Sequence, residues 1–146
     1  MAVRSARTAW KGSLQEGSGQ VTLTSSGVGT FDVSFPKRTA DEAGGTTSPE
    51  ELIAAAHSSC FSMALSGALA GAGGTPRSLD VTADVTLRPD PAGGLRISQV
   101  ALTVRGEVDG LDEDGFKQAA ESAKQNCPVS KALAGVDLIT LDAALA

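Results

Sequence analysis

The sequence predicts an α+β fold in which antiparallel strands pack against helices. Three observations support this class: short segments that alternate apolar and polar residues, glycine-rich turns between them, and one long helical segment over 48–71 that carries no charge after its first turn. The chain has 146 residues, of which 41% are hydrophobic and 20% charged. Such a chain suits one domain with a single core, and we expect that domain to cover residues 1–146.

The first part of the chain predicts three short strands. Segments 3–10, 20–26 and 31–35 place apolar residues at alternate positions, and the turns "EGSGQ" and "GVGT" separate them. Short strands joined by glycine turns are typical of an antiparallel meander. The polar segment 36–48, which contains Arg38, is predicted to be a loop.

A strong start signal predicts the long helix. Ser48 suits the N-cap, Pro49 the first helical position, and Glu51 completes a capping-box pattern. Glu50 and Glu51 also favour the positive end of the helix dipole. The helix is expected to run to about Ala72, a length of roughly 35 Å at 1.5 Å per residue.

The rest of the chain predicts a hairpin, two helices and a last strand. A "PAGG" turn joins the two long strands of the hairpin, and a shift in alternation near Val100 indicates a bulge. In chain order the predicted segments are 78–90, 95–108, 112–126, 127–135 and 136–145.

The uncharged helix is long enough to cross a membrane, but its composition argues against this. It contains several serines and a histidine, and its flanks lack the basic residues and the aromatic belt of a membrane span. A helix that is apolar all round otherwise lies at the centre of a fold or at a subunit interface. Only 3% of the chain is aromatic, so we expect a core of small aliphatic groups. Such a core buries little area per residue, and together with the small residues of "LSGALAGAG" it leads us to expect a second copy of the chain as partner.

The charge balance limits the classes of partner. The formal net charge is −5, the isoelectric point is about 4.7, and no basic tract is present, which argues against nucleic acid or an anionic membrane. The segment "MAVRSARTAWKG" lacks the apolar core of a secretory signal, so we expect a cytoplasmic protein. A disulfide between the two cysteines of such a protein would be a reversible one.

Cys60 and Cys127 are the candidate chemical groups, with more than one interpretation open. Either thiol could be a small core residue, but Cys127 precedes Pro128 at a helix start, where free N–H groups stabilise a thiolate. Metal binding is disfavoured because no pair of ligands has the usual spacing. His57 lies three residues before Cys60; we expect a buried histidine bonded to backbone or serine, with a Cys–His hydrolase as the alternative.

The segments "SPEELIAAAHSSCFSMALS" and "NCPVSKAL" resemble the osmotically inducible protein C / organic hydroperoxide resistance (OsmC/Ohr) family. The resemblance covers essentially the whole chain and is nearer to the OsmC-like branch. It implies an intertwined homodimer with two long central helices. It also implies a thiol peroxidase that reduces organic hydroperoxides and hydrogen peroxide, with Cys60 as the peroxidatic cysteine and Cys127 as the resolving one.

The resemblance further assigns Glu50 and an arginine, here Arg38, to the site. A buried thiol has a raised pKa, and a guanidinium beside it favours the thiolate, while a carboxylate can hold the guanidinium by a bidentate pair. Glu50 and Cys60 are ten residues apart on one helix, or about 15 Å along its axis. We therefore expect the Arg38–Glu50 pair of one subunit to serve Cys60 of the other.

The expected cycle needs no cofactor. Cys60 reduces the peroxide and becomes a sulfenic acid, Cys127 condenses with it, and an external dithiol reduces the disulfide. The resemblance implies a lipoyl group on another protein as that dithiol. The competing class is a non-catalytic dimeric stress or binding protein whose cysteines only pack.

Overall fold

Six strands and four helices follow one another in the order βββ–αα–ββ–αα–β. The computed structural model describes all residues 1–146 and confirms the α+β class. The chain forms two compact units, residues 1–52 and 53–146, and the expectation of a single domain stays a prediction. The elements are β1 (Arg7–Lys11), β2 (Ser18–Thr22), β3 (Thr30–Val33), α1 (Phe35–Arg38), α2 (Pro49–Gly71), β4 (Thr75–Pro89), β5 (Leu95–Asp109), α3 (Glu113–Asn126), α4 (Pro128–Ala132) and β6 (Leu138–Leu145).

The first unit contains the predicted meander. β1 pairs with β2 and β2 with β3, both antiparallel. The prediction of a loop over 36–48 is wrong at its start, where the short helix α1 forms. Ser34 caps it by accepting a hydrogen bond from the Lys37 N–H at 3.4 Å, and Pro36 occupies its first turn. α1 ends with Arg38, so this turn fixes the backbone of the predicted site arginine.

Helix α2 begins and ends within one residue of the predicted bounds. Ser48 Oγ accepts from the Glu51 N–H at 3.1 Å, as an N-cap does. The reciprocal half of the capping box is absent, because the Glu51 carboxylate accepts from the Thr47 hydroxyl instead. The helix ends where Gly73 adopts a φ of +87°, a conformation that glycine reaches without steric cost.

The second unit is built on a three-stranded sheet in the order β4-β5-β6. The hairpin of β4 and β5 is antiparallel, and its register skips Ser98, two residues from the predicted bulge. The expectation of a wholly antiparallel sheet is wrong for β6, which pairs parallel with β5. Residues 110–137 carry α3 and α4, and a crossover of that length allows a parallel return.

The core of the second unit lies between α2, α3 and the sheet. Residues spaced by four along α2 put one face of the helix into this core, and small alanines on α3 allow close packing around the Phe116 ring. A core of mostly small aliphatic groups was predicted from composition. Its buried members are Phe61, Leu65, Leu69, Leu102, Val104, Phe116, Ala119, Ala120, Ala123, Cys127 and Ala143.

The opposite side of α2 is open in the single chain. Met63, at its centre, is 70% exposed, and only 22% of the most apolar 18-residue window of the helix is buried. By length and hydropathy alone α2 could span a membrane, a property it shares with the central helices of many soluble proteins.

Truncation of Leu102 tests this core. Leu102 is 1% exposed, so Leu102→Ala should lower the free energy of unfolding by about 2–5 kcal/mol through lost burial and the cavity left behind. Urea denaturation followed by circular dichroism measures the change. Leu138→Ala is the matched control, because Leu138 is 48% exposed and its loss should cost less than about 0.5 kcal/mol. Equal losses in the two variants would contradict this assignment of the core.

Candidate active site

The two cysteines, 67 positions apart in sequence, meet in the second unit. Cys60 is half-buried in the middle of α2, and Cys127 is fully buried at the N-cap of α4. Both are free thiols, Cys60 packs against the core cluster that contains Cys127, and each cysteine shifts the pKa of the other. Helix α3 and the α3–α4 junction place Cys127 next to α2. The two cysteines are therefore neighbours, as a disulfide between them requires.

The surroundings of the two thiols shift their pKa values in opposite directions. Burial raises the pKa of Cys60, and the neighbouring Cys127 raises it further, while the Val129 N–H opposes both. Burial alone would raise the pKa of Cys127 as well, but the hydrogen bonds from Ser130, Cys60 and Val129 together lower it. Cys127 makes no full N-cap hydrogen bond, so the α4 N–H groups act on its sulfur as weak donors. Within one chain Cys127 therefore loses its proton more readily than Cys60.

His57 is fully buried beside this pair and bonds to a serine, as predicted. Its Nε2 lies 2.7 Å from Ser130 Oγ, and its Nδ1 is buried with no partner. Burial lowers the pKa of His57, so the ring is neutral near pH 7. The ring engages Ser130 and makes no hydrogen bond to Cys60, which removes the geometric support for a Cys–His hydrolase.

Arg38 and Glu50 form an ion pair in the first unit, as predicted. Arg38 Nη2 lies 2.6 Å from Glu50 Oε1, and Arg38 Nε lies 3.1 Å from each carboxylate oxygen. Glu50 is buried at 8% exposure, and its contact raises the pKa of Arg38. The guanidinium is held by one edge, which leaves its Nη1 without a hydrogen-bond partner.

An apolar cavity of about 360 Å³ adjoins this ion pair within the first unit. Aromatic and aliphatic side chains from all three strands, α1 and the start of α2 form its wall. The lining residues are Thr8, Trp10, Leu14, Val21, Val33, Ser34, Phe35, Arg38, Thr47, Pro49 and Leu52. Arg38 is the only charged side chain among them, so a bound molecule would meet an apolar wall and one cation.

The four residues predicted for the site thus form two pairs. Cys60 contacts Cys127 in one unit, and Arg38 contacts Glu50 in the other. Ser130 was not singled out from the sequence, although it is the serine of the Cys-Pro-x-Ser motif in the segment "NCPVSKAL". Its position three residues after Cys127, one helical turn along, was the available signal.

A family model described as OsmC-like protein matches residues 41–141. This stretch covers more than half of the chain and includes Glu50, Cys60 and Cys127. The chain belongs to the OsmC family. Arg38 precedes the matched stretch, so its assignment depends on the ion pair with Glu50 rather than on the family model.

Individual relatives agree with this membership. The chain is 44% identical to Peroxiredoxin OsmC of Escherichia coli over 133 residues, which are 91% of this chain and 90% of that protein. It is 35% identical to the organic hydroperoxide resistance protein OhrA of Bacillus subtilis, over 67% of each chain.

Solved structures of the OsmC family match nearly the whole chain. An organic hydroperoxide resistance protein OsmC from Legionella pneumophila superposes with a TM-score of 0.74 at 26% identity, covering 98% of this chain and 100% of that one. OhrB of Bacillus subtilis superposes with a TM-score of 0.72 at 28% identity, covering 94% and 98%.

Replacement of His57 should change how stability depends on pH. Its pKa in the folded protein is below the ordinary value of 6.5, so the unfolded chain binds the proton first as the pH falls. The free energy of unfolding should therefore decrease below about pH 6.5, with a slope of up to about 1.36 kcal/mol per pH unit from this group.

His57→Gln keeps a side-chain amide near Ser130 but removes the titration. Urea denaturation between about pH 5 and 7 should give a flatter profile for this variant than for the wild type. Carboxylates titrate equally in both proteins, so the difference isolates His57. Parallel profiles would show that the ring accepts a proton without cost in the folded state.

Proposed function

We propose that this member of the OsmC family is a thiol-dependent peroxidase that reduces organic hydroperoxides, and hydrogen peroxide, to alcohols or water. The observation that carries this proposal is the contact between the Cys60 and Cys127 thiols. Two neighbouring cysteines can pass through a sulfenic acid and a disulfide. The 44% identity to a protein named Peroxiredoxin OsmC supports a peroxiredoxin-like enzyme.

The reaction begins on Cys60. Its thiolate attacks the terminal oxygen of the peroxide, the O–O bond breaks, and the alcohol leaves with a proton, so that Cys60 becomes a sulfenic acid. Cys127 then attacks the Cys60 sulfur, water leaves, and an intramolecular disulfide forms. An external dithiol restores both thiols by exchange. The chain's own side chains carry the steps up to the disulfide, and with the external dithiol the proposed cycle includes no cofactor or metal.

Cys60 needs a cation to act as the nucleophile, because its pKa in the single chain is raised. We assign this role to Arg38, whose free Nη1 can reach the sulfur or the peroxide while Glu50 holds the other edge. Glu50 and Cys60 both lie on the uninterrupted helix α2, where ten residues span about 15 Å. The proposed active site therefore combines the Arg38–Glu50 pair of one subunit with the thiols of the other.

The open side of α2 suits the homodimer that such a site needs. An exposed stripe of small or flexible uncharged residues follows the helix at spacings of three and four: Ala56, Ser59, Met63, Gly67 and Ala70. Small side chains let two helices approach closely, and Met63 adapts to the surface that it meets. Pairing of this stripe with a second copy would bury the apolar helix.

The substrate class follows from the cavity beside Arg38. Its apolar lining would accommodate the alkyl or aryl group of an organic hydroperoxide, and Arg38 would face the polar peroxide end. We propose fatty or aryl hydroperoxides as better substrates than hydrogen peroxide, which gains nothing from the apolar wall.

The reductant and the location are further parts of the proposal. A buried disulfide between Cys60 and Cys127 calls for a slender dithiol, such as a lipoyl group carried on another protein. Two free thiols in a cycle that ends in their reduction suit the cytoplasm.

Thiol titration tests the peroxidase. The reduced protein mixed with cumene hydroperoxide should lose two thiols per chain, Cys127→Ser should lose one and hold a sulfenic acid that dimedone traps, and Cys60→Ser should lose none. The urea-unfolded wild type is the control for the intrinsic reactivity of free cysteine. Thiol loss no faster in the folded protein than in this control would favour the non-catalytic protein whose cysteines only pack.

Mixed dimers test whether each site is shared between subunits. Arg38→Met and Cys60→Ser should each reduce peroxidase activity by about 10²-fold or more, since each removes a group that acts on the reacting atoms. Co-refolding the two variants in equal amounts should restore about a quarter of the wild-type activity, because half of the dimers are mixed and each has one complete site.

The same mixture has no complete site if Arg38 serves the cysteine of its own chain. Activity that stays at the sum of the two separate variants would therefore contradict a shared site. A mixture of Arg38→Met with Glu50→Gln provides the matched control, because both changes affect the ion pair and leave both cysteines intact.

A further inference from the structure

His57 and Ser130 form a buried polar pair that the peroxide chemistry described above does not use. The ring is fully buried, Ser130 is 8% exposed, and His57 Nε2 lies 2.7 Å from Ser130 Oγ. Burying a polar ring costs free energy unless it is fully hydrogen-bonded, yet His57 Nδ1 has no partner. A histidine kept at this cost next to two reactive thiols calls for an explanation.

The missing partner of Nδ1 fixes the tautomer. A buried N–H without an acceptor is rarer in proteins than an unsatisfied lone pair, so the proton lies on Nε2 and Nδ1 carries the lone pair. His57 therefore donates to Ser130 Oγ. A hydroxyl that accepts one hydrogen bond directs its own proton elsewhere, and the buried Ser130 hydroxyl, one helical turn after Cys127 at the start of α4, lowers the pKa of that thiol.

We propose that His57 and Ser130 are positioning residues for the resolving step: His57 orients the Ser130 hydroxyl so that it donates to Cys127 and keeps that sulfur a thiolate. This inference rests on the proposed roles of Cys60 and Cys127. The step it serves is the closure of the disulfide. The Cys127 thiolate attacks the Cys60 sulfur and is oxidised, the S–O bond of the sulfenic acid breaks, and hydroxide leaves and takes up the proton that Cys127 had released.

The contribution of the Ser130 hydroxyl matters most after the peroxide has oxidised Cys60 to the sulfenic acid. In the reduced protein the Cys60 thiol also donates to Cys127, but that S–H is gone once Cys60 carries oxygen. The Ser130 N–H, the Ser130 hydroxyl and the Val129 N–H then remain to lower the pKa of Cys127, and the hydroxyl is the only side chain among them.

Few other charges reach Cys127. Cys60 on α2 is the titratable group that touches it, and His57 acts through Ser130. On α3 the Lys124 ammonium is paired with Glu121, and on α4 Lys131 is exposed. The strands that pack against this region contribute the apolar side chains Leu102, Val104 and Ala143.

Single-turnover measurement of disulfide closure tests the proposal. The reduced protein is mixed rapidly with one equivalent of cumene hydroperoxide between about pH 5 and 9, quenched in acid, and its sulfenic acid and disulfide forms are counted by intact mass. Ser130→Ala should slow closure about tenfold at pH 7 and raise the pH midpoint of closure by about one unit, so that the sulfenic acid accumulates. Ser130→Thr keeps the hydroxyl and should recover most of the rate.

Substitutions at His57 separate orientation from packing. His57→Leu removes the donor and should raise the midpoint, whereas His57→Gln places an amide N–H near the former Nε2 and should bring it back towards the wild type. Ser62→Ala is the matched control, because the Ser62 hydroxyl bonds only to the Ser58 carbonyl of its own helix. If Ser130→Ala does not fold, the comparison of His57→Leu with His57→Gln still tests the proposal.

The outcomes distinguish this proposal from the proposed function. Midpoints in Ser130→Ala and His57→Leu equal to that of the wild type would overturn the positioning role alone, since the disulfide would still form. A wild-type protein that forms no Cys60–Cys127 disulfide would overturn the proposed function as well.

Discussion

The chemistry proposed for this protein depends on two neighbouring thiols whose pKa values are shifted in opposite directions. Burial raises the pKa of Cys60, whereas the donors at the start of α4 lower that of Cys127. The single chain therefore favours ionisation of Cys127, the proposed resolving cysteine, and the proposed peroxidatic cysteine Cys60 needs a cation from elsewhere. This imbalance separates the two steps: an arginine would select Cys60 for the attack on peroxide, and the local donors would select Cys127 for closure.

Helix α2 connects the parts of this arrangement. One face packs into the core through Phe61, Leu65 and Leu69, and its acidic start holds Arg38 through Glu50. The opposite face carries small, uncharged residues and stays open in the single chain. In the proposed dimer, charges on that face would oppose the close approach of the second copy. The apolar character that suggests a membrane span is thus explained by the proposed dimer.

Local sequence signals predicted most of the helices and strands, but not how distant strands pair. Ser48, Pro49 and the terminal glycines set the ends of α2, and alternation gave the hairpin. The parallel pairing of β6 was missed because alternation is the same in either direction, and α1 was missed because four residues carry almost no periodic signal.

The predictability of the site follows the same division. The cysteine and Arg38–Glu50 assignments came from a family resemblance, and the structure joined each pair. A hydrogen bond from His57 to backbone or serine was predicted, but not its partner, since Ser130 lies 73 residues away and the chain has fourteen other serines. Only the α3–α4 crossover selects it.

The position of Cys127 after that crossover also has a mechanical consequence. A bond between Cys60 and Cys127 would enclose β4, β5 and α3 in a loop of 67 residues. A crosslink around a loop of that size restricts the unfolded chain by an amount equivalent to about 4 kcal/mol. The oxidised protein would then resist proteases and heat better than the reduced one. The disulfide form that precedes reduction would then be the more stable form of the protein. The redox state would thereby also affect the lifetime of the chain under peroxide stress.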